Sequence, residues 1–117
     1  MKNYTSEELL QAALKSADEK KAKDPLVLDI RKVAGFADYF LLLSGGSMRQ
    51  VAAIVDGIEE DMVKGGFDVL HTEGRGESGW VLLDLGDVIV HVFGDAEREF
   101  YKLEDLWADA VRIRPEA

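Results

Sequence analysis

Apolar residues switch between two spacings along this chain. Leu9, Leu10, Ala13, Leu14 and Ala17 recur at helical spacing behind Thr5-Ser6-Glu7-Glu8, where a threonine precedes a glutamate by three residues as in a capping box. This predicts a helix that dissolves in the charged stretch Asp18 to Asp24 and ends at Pro25. Leu26 to Ile30 reads as a short strand and Arg31 to Gly35 as a turn. Ala37 to Ser44 (ADYFLLLS) reads as a strand apolar on both sides, and so central in a sheet. Gly45-Gly46 breaks it. Ser47 with Gln50 repeats the capping-box spacing, and Val51, Ile54, Val55, Ile58 and Met62 form one helical stripe that Gly65-Gly66 closes. Phe67 to His71 reads as a strand, Thr72 to Gly79 as a polar glycine-rich loop, and a helix starts near Ala96 with a final turn at Leu106 to Val111.

Between the loop and the last helix lies the most specific pattern. Trp80 to Leu85 and Val88 to Phe93 are strand-like runs separated by Gly86-Asp87 alone, and a glycine at the first central position suits a type II′ hairpin turn. That turn pairs Leu85 with Val88, Leu83 with Val90 and Val81 with Val92 on one aliphatic face, which is expected to be core. The other face carries Asp84 with Ile89, Leu82 with His91 and Trp80 with Phe93. It is apolar but mixed, and either a helix or a partner covers it. The order αββαβββα predicts an α/β fold, a single-domain mixed β-sheet flanked by helices. Residues 1–117 form one domain, with 112–117 as a flexible tail.

Charge sharpens the picture. The 117 residues hold 23 acids against 14 Lys plus Arg, a formal net charge of −9. Phosphate contacts need a basic footprint, so direct sequence-specific nucleic-acid binding is disfavoured. Eight acids against Arg98 and Lys102 between Asp84 and Asp109 supply six of the nine net charges. Such a segment suits a basic protein partner, although a merely solvated helix face has the same composition. There is no cysteine, so no disulfide framework, thiolate metal site or cysteine nucleophile. No apolar run reaches the ~20 residues of a membrane helix, and MKNYTSEELL lacks a signal-peptide layout, so a cytoplasmic protein without membrane contact is expected.

Three places could hold chemistry. Ser44-Gly45-Gly46-Ser47 lies between a strand and a helix, where backbone amides attract phosphate. Nucleotidyl transfer also needs close carboxylates on the next strand to hold magnesium, and only Asp68 stands near there. His71 and His91 have no close-spaced ligand partner, which favours structural or interface roles over a metal site. Glu73 to Gly79 resembles a dinucleotide fingerprint loosely, but it joins two strands and opens no helix. No catalytic residue, metal or cofactor is expected. The alternative to a binding protein is a nucleotide-binding or nucleotidyltransferase-type enzyme using Ser44 to Ser47.

Three phrases carry a family resemblance: DYFLLLSGGSMRQVAAIVDGIEE (Asp38 to Glu60), EGRGESGWVLLDLGDVIVHVF (Glu73 to Phe93) and REFYKLEDLW (Arg98 to Trp107). Together they resemble the ribosomal silencing factor, or Iojap-like, family over roughly Leu9 to Trp107. The resemblance implies a nucleotidyltransferase-like fold without the catalytic carboxylates. It also implies a non-enzymatic repressor that binds ribosomal protein fourteen of the large subunit, blocks joining of the small subunit and damps translation when nutrients are scarce. The positions it carries over as contacts or supports are Trp80, Asp84, Asp87, His91, Tyr101, Leu103, Leu106 and Trp107, and the acidic reading adds Glu104. Gly45-Gly46 departs from the Gly-Thr of many members, which loosens the turn without touching binding. An apolar hairpin face that awaits a partner also raises the expectation of a homodimer in the free state.

Overall fold

A computed structural model describes residues 3–74 and 76–115. Helix α1 (Ser6–Glu19) begins with the expected reciprocal cap: Glu8 N–H donates to Thr5 Oγ1 and Thr5 N–H to Glu8 Oε1. Helix α2 (Met48–Lys64) starts with half of one. Gln50 N–H donates to Ser47 Oγ, but the Gln50 side chain accepts from Gly46 N–H instead of closing the box. Gly66 takes φ 83° at its end, where Phe67 N–H reaches Met62 O and Gly66 N–H reaches Val63 O, a Schellman closure.

Six strands form one mixed sheet: β1 (Lys23–Asp29), β2 (Tyr39–Gly45), β3 (His71–Glu73), β4 (Trp80–Asp84), β5 (Val88–Gly94) and β6 (Val111–Ile113), in the order β3-β4-β5-β2-β1-β6. Strand β2 is central and wholly buried. It runs parallel to β5 and antiparallel to β1. The hairpin has the register that its two-residue turn dictates, from Trp80 opposite Phe93 to Asp84 opposite Ile89, with Leu85 N–H donating to Val88 O and Gly86 at φ 94°.

Four expectations need correction. Pairing along β3 begins at His71, opposite Asp84, so residues 67–70 lie beyond the end of the ladder. Phe67 packs edge-on against Tyr4 instead. Thr72 and Glu73, read as loop, are strand; an edge strand exposed on both faces has no need of apolar residues. The last helix is broken. Lys102, at φ 42° and ψ 56°, ends α3 (Asp95–Tyr101) and begins α4 (Leu103–Leu106). Arg112 and Ile113, expected at the start of a tail, lie in β6 against β1; of that tail, Glu116 and Ala117 fall outside the described residues.

The sheet separates two cores. Val81, Leu83, Leu85, Val88, Val90 and Val92 share one face with Leu41 and Leu43, under α1 and α2. Leu26, Leu28, Phe40, Leu42, Ile89 and Phe93 share the other, under the segment from α3 to β6. Among the described residues no helix is long and apolar enough to cross a membrane.

Candidate interaction face

The second face gathers most of the aromatic residues. Trp80 stacks on Phe93 with ring centroids 5.1 Å apart, and Tyr101 from α3 lies 4.7 Å from Trp80. Phe40 meets His91 at 4.7 Å and Trp107 at 5.0 Å, both edge-on. The sheet periodicity explains this: Trp80, Leu82, His91, Phe93, Phe40 and Leu42 all project from the same side of adjacent strands. The short α3 and α4 lay Tyr101, Leu103 and Trp107 over them.

His91 is 4% exposed. Its Nδ1 accepts from the Trp80 indole N–H at 3.2 Å, which places the ring proton on Nε2, and Nε2 finds no hydrogen-bond partner among the described residues. Burial lowers its pKa to about 4, so the ring is neutral at pH 7. Glu104 Oε1 is the other buried side-chain atom left without such a partner.

The positions singled out in the sequence divide into three groups. Trp80, His91, Tyr101, Leu103 and Trp107 come together. Within this group His91 and Leu103 are buried, so in this conformation they support the surface and do not form it. Asp84 and Asp87 stand at the hairpin turn, both half-buried. Asp84 Oδ1 accepts from Gly86 N–H at 2.8 Å, and the Asp87 carbonyl accepts from Asp38 and Tyr39 N–H, tying the turn to the start of β2. Leu106 points outward at 77% exposure, beside the half-buried Glu104.

Sequence reasoning missed Phe36 and Phe100. Phe36 is 60% exposed and packs on Phe40 and Trp107 at 6.1 and 6.0 Å. It is presented by the β1–β2 connection, where Arg31 donates twice to the Asp29 carboxylate and holds that carboxyl below its ordinary value. Phe100 is 80% exposed and meets Tyr101 edge-on at 5.1 Å. The available signal was weak: Phe36 falls at the end of a turn, and Phe100 lies beside a tyrosine in a helix too short to show a stripe.

With Tyr101 and Leu106, these residues form an exposed apolar rim around the aromatic cluster. A depression of about 240 Å³ beside Trp80, lined by Glu73, Gly74, Trp80 and Leu82, continues it toward the β3 edge. Acids share the rim's elements: Glu97 and Glu99 lie on α3 with Phe100 and Tyr101, and Glu104 and Asp105 lie on α4 with Leu106. Among the described residues no three His, Cys, Asp or Glu side chains are grouped to hold a metal.

A family model described as "Ribosomal silencing factor during starvation" matches residues 3–117. A Bacillus subtilis protein named ribosomal silencing factor RsfS is 46% identical over 102 residues, 87% of this chain and 86% of its own. A Halalkalibacterium halodurans protein of the same name is 40% identical over 112 residues, 96% of each chain. A crystal structure of a Chromobacterium violaceum protein superposes with a TM-score of 0.86 at 32% identity, covering 90% of this chain and 88% of that one.

Proposed function

The chain belongs to the ribosomal silencing factor family, and on that premise we propose that it is a cytoplasmic, non-enzymatic repressor of translation. It binds the large ribosomal subunit through ribosomal protein fourteen at the subunit interface. There it obstructs the small subunit, especially when nutrients are limiting. The observation that carries this reading is the acidic-rimmed aromatic surface of Phe36, Tyr101, Phe100 and Leu106, exposed on a chain of net charge −9. Exposed aromatics of this kind supply anchoring energy at interfaces, and surrounding carboxylates steer a basic partner into register. Trp80 and Trp107, half-buried beneath, stiffen the anchors. In the free protein the same apolar surface supports a homodimer, which partner binding then replaces.

The test is co-sedimentation with purified large subunits, paired with light scattering of subunit joining. Stoichiometric binding that lowers the joined fraction is expected. Binding that leaves joining intact, or no binding at all, overturns the reading.

A further inference from the structure

Helix α3 is poorly anchored by burial. All seven of its residues remain at least partly exposed, and a helix of that length does not hold itself together in water. Yet it carries Phe100 and Tyr101, two of the three aromatics of the exposed rim. Beyond Tyr101 against Trp80 and Phe93, apolar packing does little to fix its direction.

Among the described residues two polar ties reach it. Lys23 Nζ meets Asp95 Oδ2 at 2.7 Å, with both side chains about half exposed, so that pair is weak. The other tie is part-buried. Arg98 Nη1 donates at 2.8 Å to Ser44 Oγ, and Ser44 is 1% exposed at the end of the central strand. A hydrogen bond from an ionised donor into a site shielded from water is among the stronger ones. Burial opposes the charge on this guanidinium and lowers its pKa, and Glu104 and Asp24 offset part of that cost. Arg98 lies three residues before Tyr101, on the same side of the helix, so any rotation of α3 about this tie displaces Tyr101 from Trp80.

The Ser44-Gly45-Gly46-Ser47 turn has its polar groups engaged from within. Gly46 N–H donates to Gln50 Oε1, Ser47 Oγ accepts from Gln50 N–H, Gln50 Nε2 donates to Lys21 O, and Ser44 Oγ is held by Arg98. A strand-to-helix turn that could have faced a phosphate is here a joint that ties the α3 segment to the sheet.

We infer that Arg98 is a positioning residue for the interaction face: tied to Ser44, it sets the path of α3 so that Tyr101 rests on Trp80 and Phe100 stands out toward the partner. This rests on the reading that the aromatic face meets the large subunit.

Two readouts test it. Trp80 emission is followed in a Trp107→Phe background, which leaves one tryptophan. Large-subunit affinity is measured in the otherwise unchanged chain. Arg98→Gln and the milder Ser44→Ala should shift Trp80 emission to the red as Tyr101 leaves the ring. Each should also weaken large-subunit binding about tenfold, the size of one lost charge-assisted hydrogen bond. Arg98→Lys, which keeps a charged donor, should recover part of both. Tyr101→Ala serves as reference. If it weakens binding about thirtyfold while Arg98→Gln and Ser44→Ala bind as wild type, the inference falls and the functional reading stands. A lower melting temperature with unchanged Trp80 emission makes Arg98 merely structural and also overturns it. A red shift in a protein whose wild type never binds large subunits leaves the positioning role standing and removes the functional reading.

Discussion

On one side of the sheet, α1 and α2 cover an aliphatic surface with two long helices whose buried stripes join it in one core. On the other side, seven- and four-residue helices cross an aromatic surface and leave Phe36, Phe100, Tyr101 and Leu106 in solvent. The first face is satisfied. The second retains an imidazole Nε2 and a carboxylate oxygen with no hydrogen-bond partner among the described residues. A face finished to that lower standard is where a protein can gain by adding a partner, because less of its apolar and polar potential is already spent.

The largest expected effect is on the satisfied face. Leu83→Ala should cost about 2–5 kcal/mol, as full burial of the leucine implies. Thermal melting should show a drop of about 10 °C or more, while the protein that stays folded still binds large subunits. An unmoved melting point would mean that the two faces have been assigned the wrong way round.

Next comes pH. Burial depresses the folded pKa of His91 from 6.5 to about 4, so the unfolded chain takes up the proton first. The contribution is intact above about pH 6.5 and is lost as pH falls toward 4, roughly 3 kcal/mol in all. Protonation of Nδ1 would also break its bond from Trp80. Carboxylates titrate in the same range, so the measurement is the difference between urea melts of wild type and His91→Gln across that window. Parallel curves would contradict a neutral buried ring.

Tyr101→Ala probes the unfinished face directly. It should cost roughly 2 kcal/mol of large-subunit affinity, about thirtyfold, with little change in melting. The reverse split would make Tyr101 a core residue. The smallest effect is expected for Asp84→Asn with Asp87→Asn, which removes two charges but keeps the acceptor that caps Gly86. Association at low salt should slow by a few-fold and depend less on salt, since exposed charges are screened within about 8 Å at physiological ionic strength. An unchanged salt slope would place the steering charges elsewhere.

The sequence was readable where a pattern had one physical meaning. The Gly86-Asp87 turn admits one register, and that register sorts every residue of β4 and β5 to its face. It was less readable where pairing depends on a distant segment. Residues 111–113 become strand because β1 offers an open edge, and nothing in Val-Arg-Ile announces that. Thr72 and Glu73 are strand for the same reason. Of the interaction face, the motif residues were visible but not their depth: His91 and Leu103 look like contacts in one dimension and are buried in three. Arg98 was hidden because its partner, Ser44, lies 54 positions away.

The pairing of β6 with β1 has a consequence in time. Val27 opposes Ile113, 86 positions later in the chain, whereas β4 and β5 meet across a two-residue turn. Contacts over such separations close late, after local hairpins and helices have formed. The α3–α4 segment is strung between β5 and β6, so the aromatic surface matures only when its far end is pinned. A newly made copy therefore acquires its stable scaffold before it acquires its docking surface. Refolding followed by stopped-flow fluorescence should show the tryptophans reaching their final environment after secondary structure has returned, and simultaneous recovery would argue against this order.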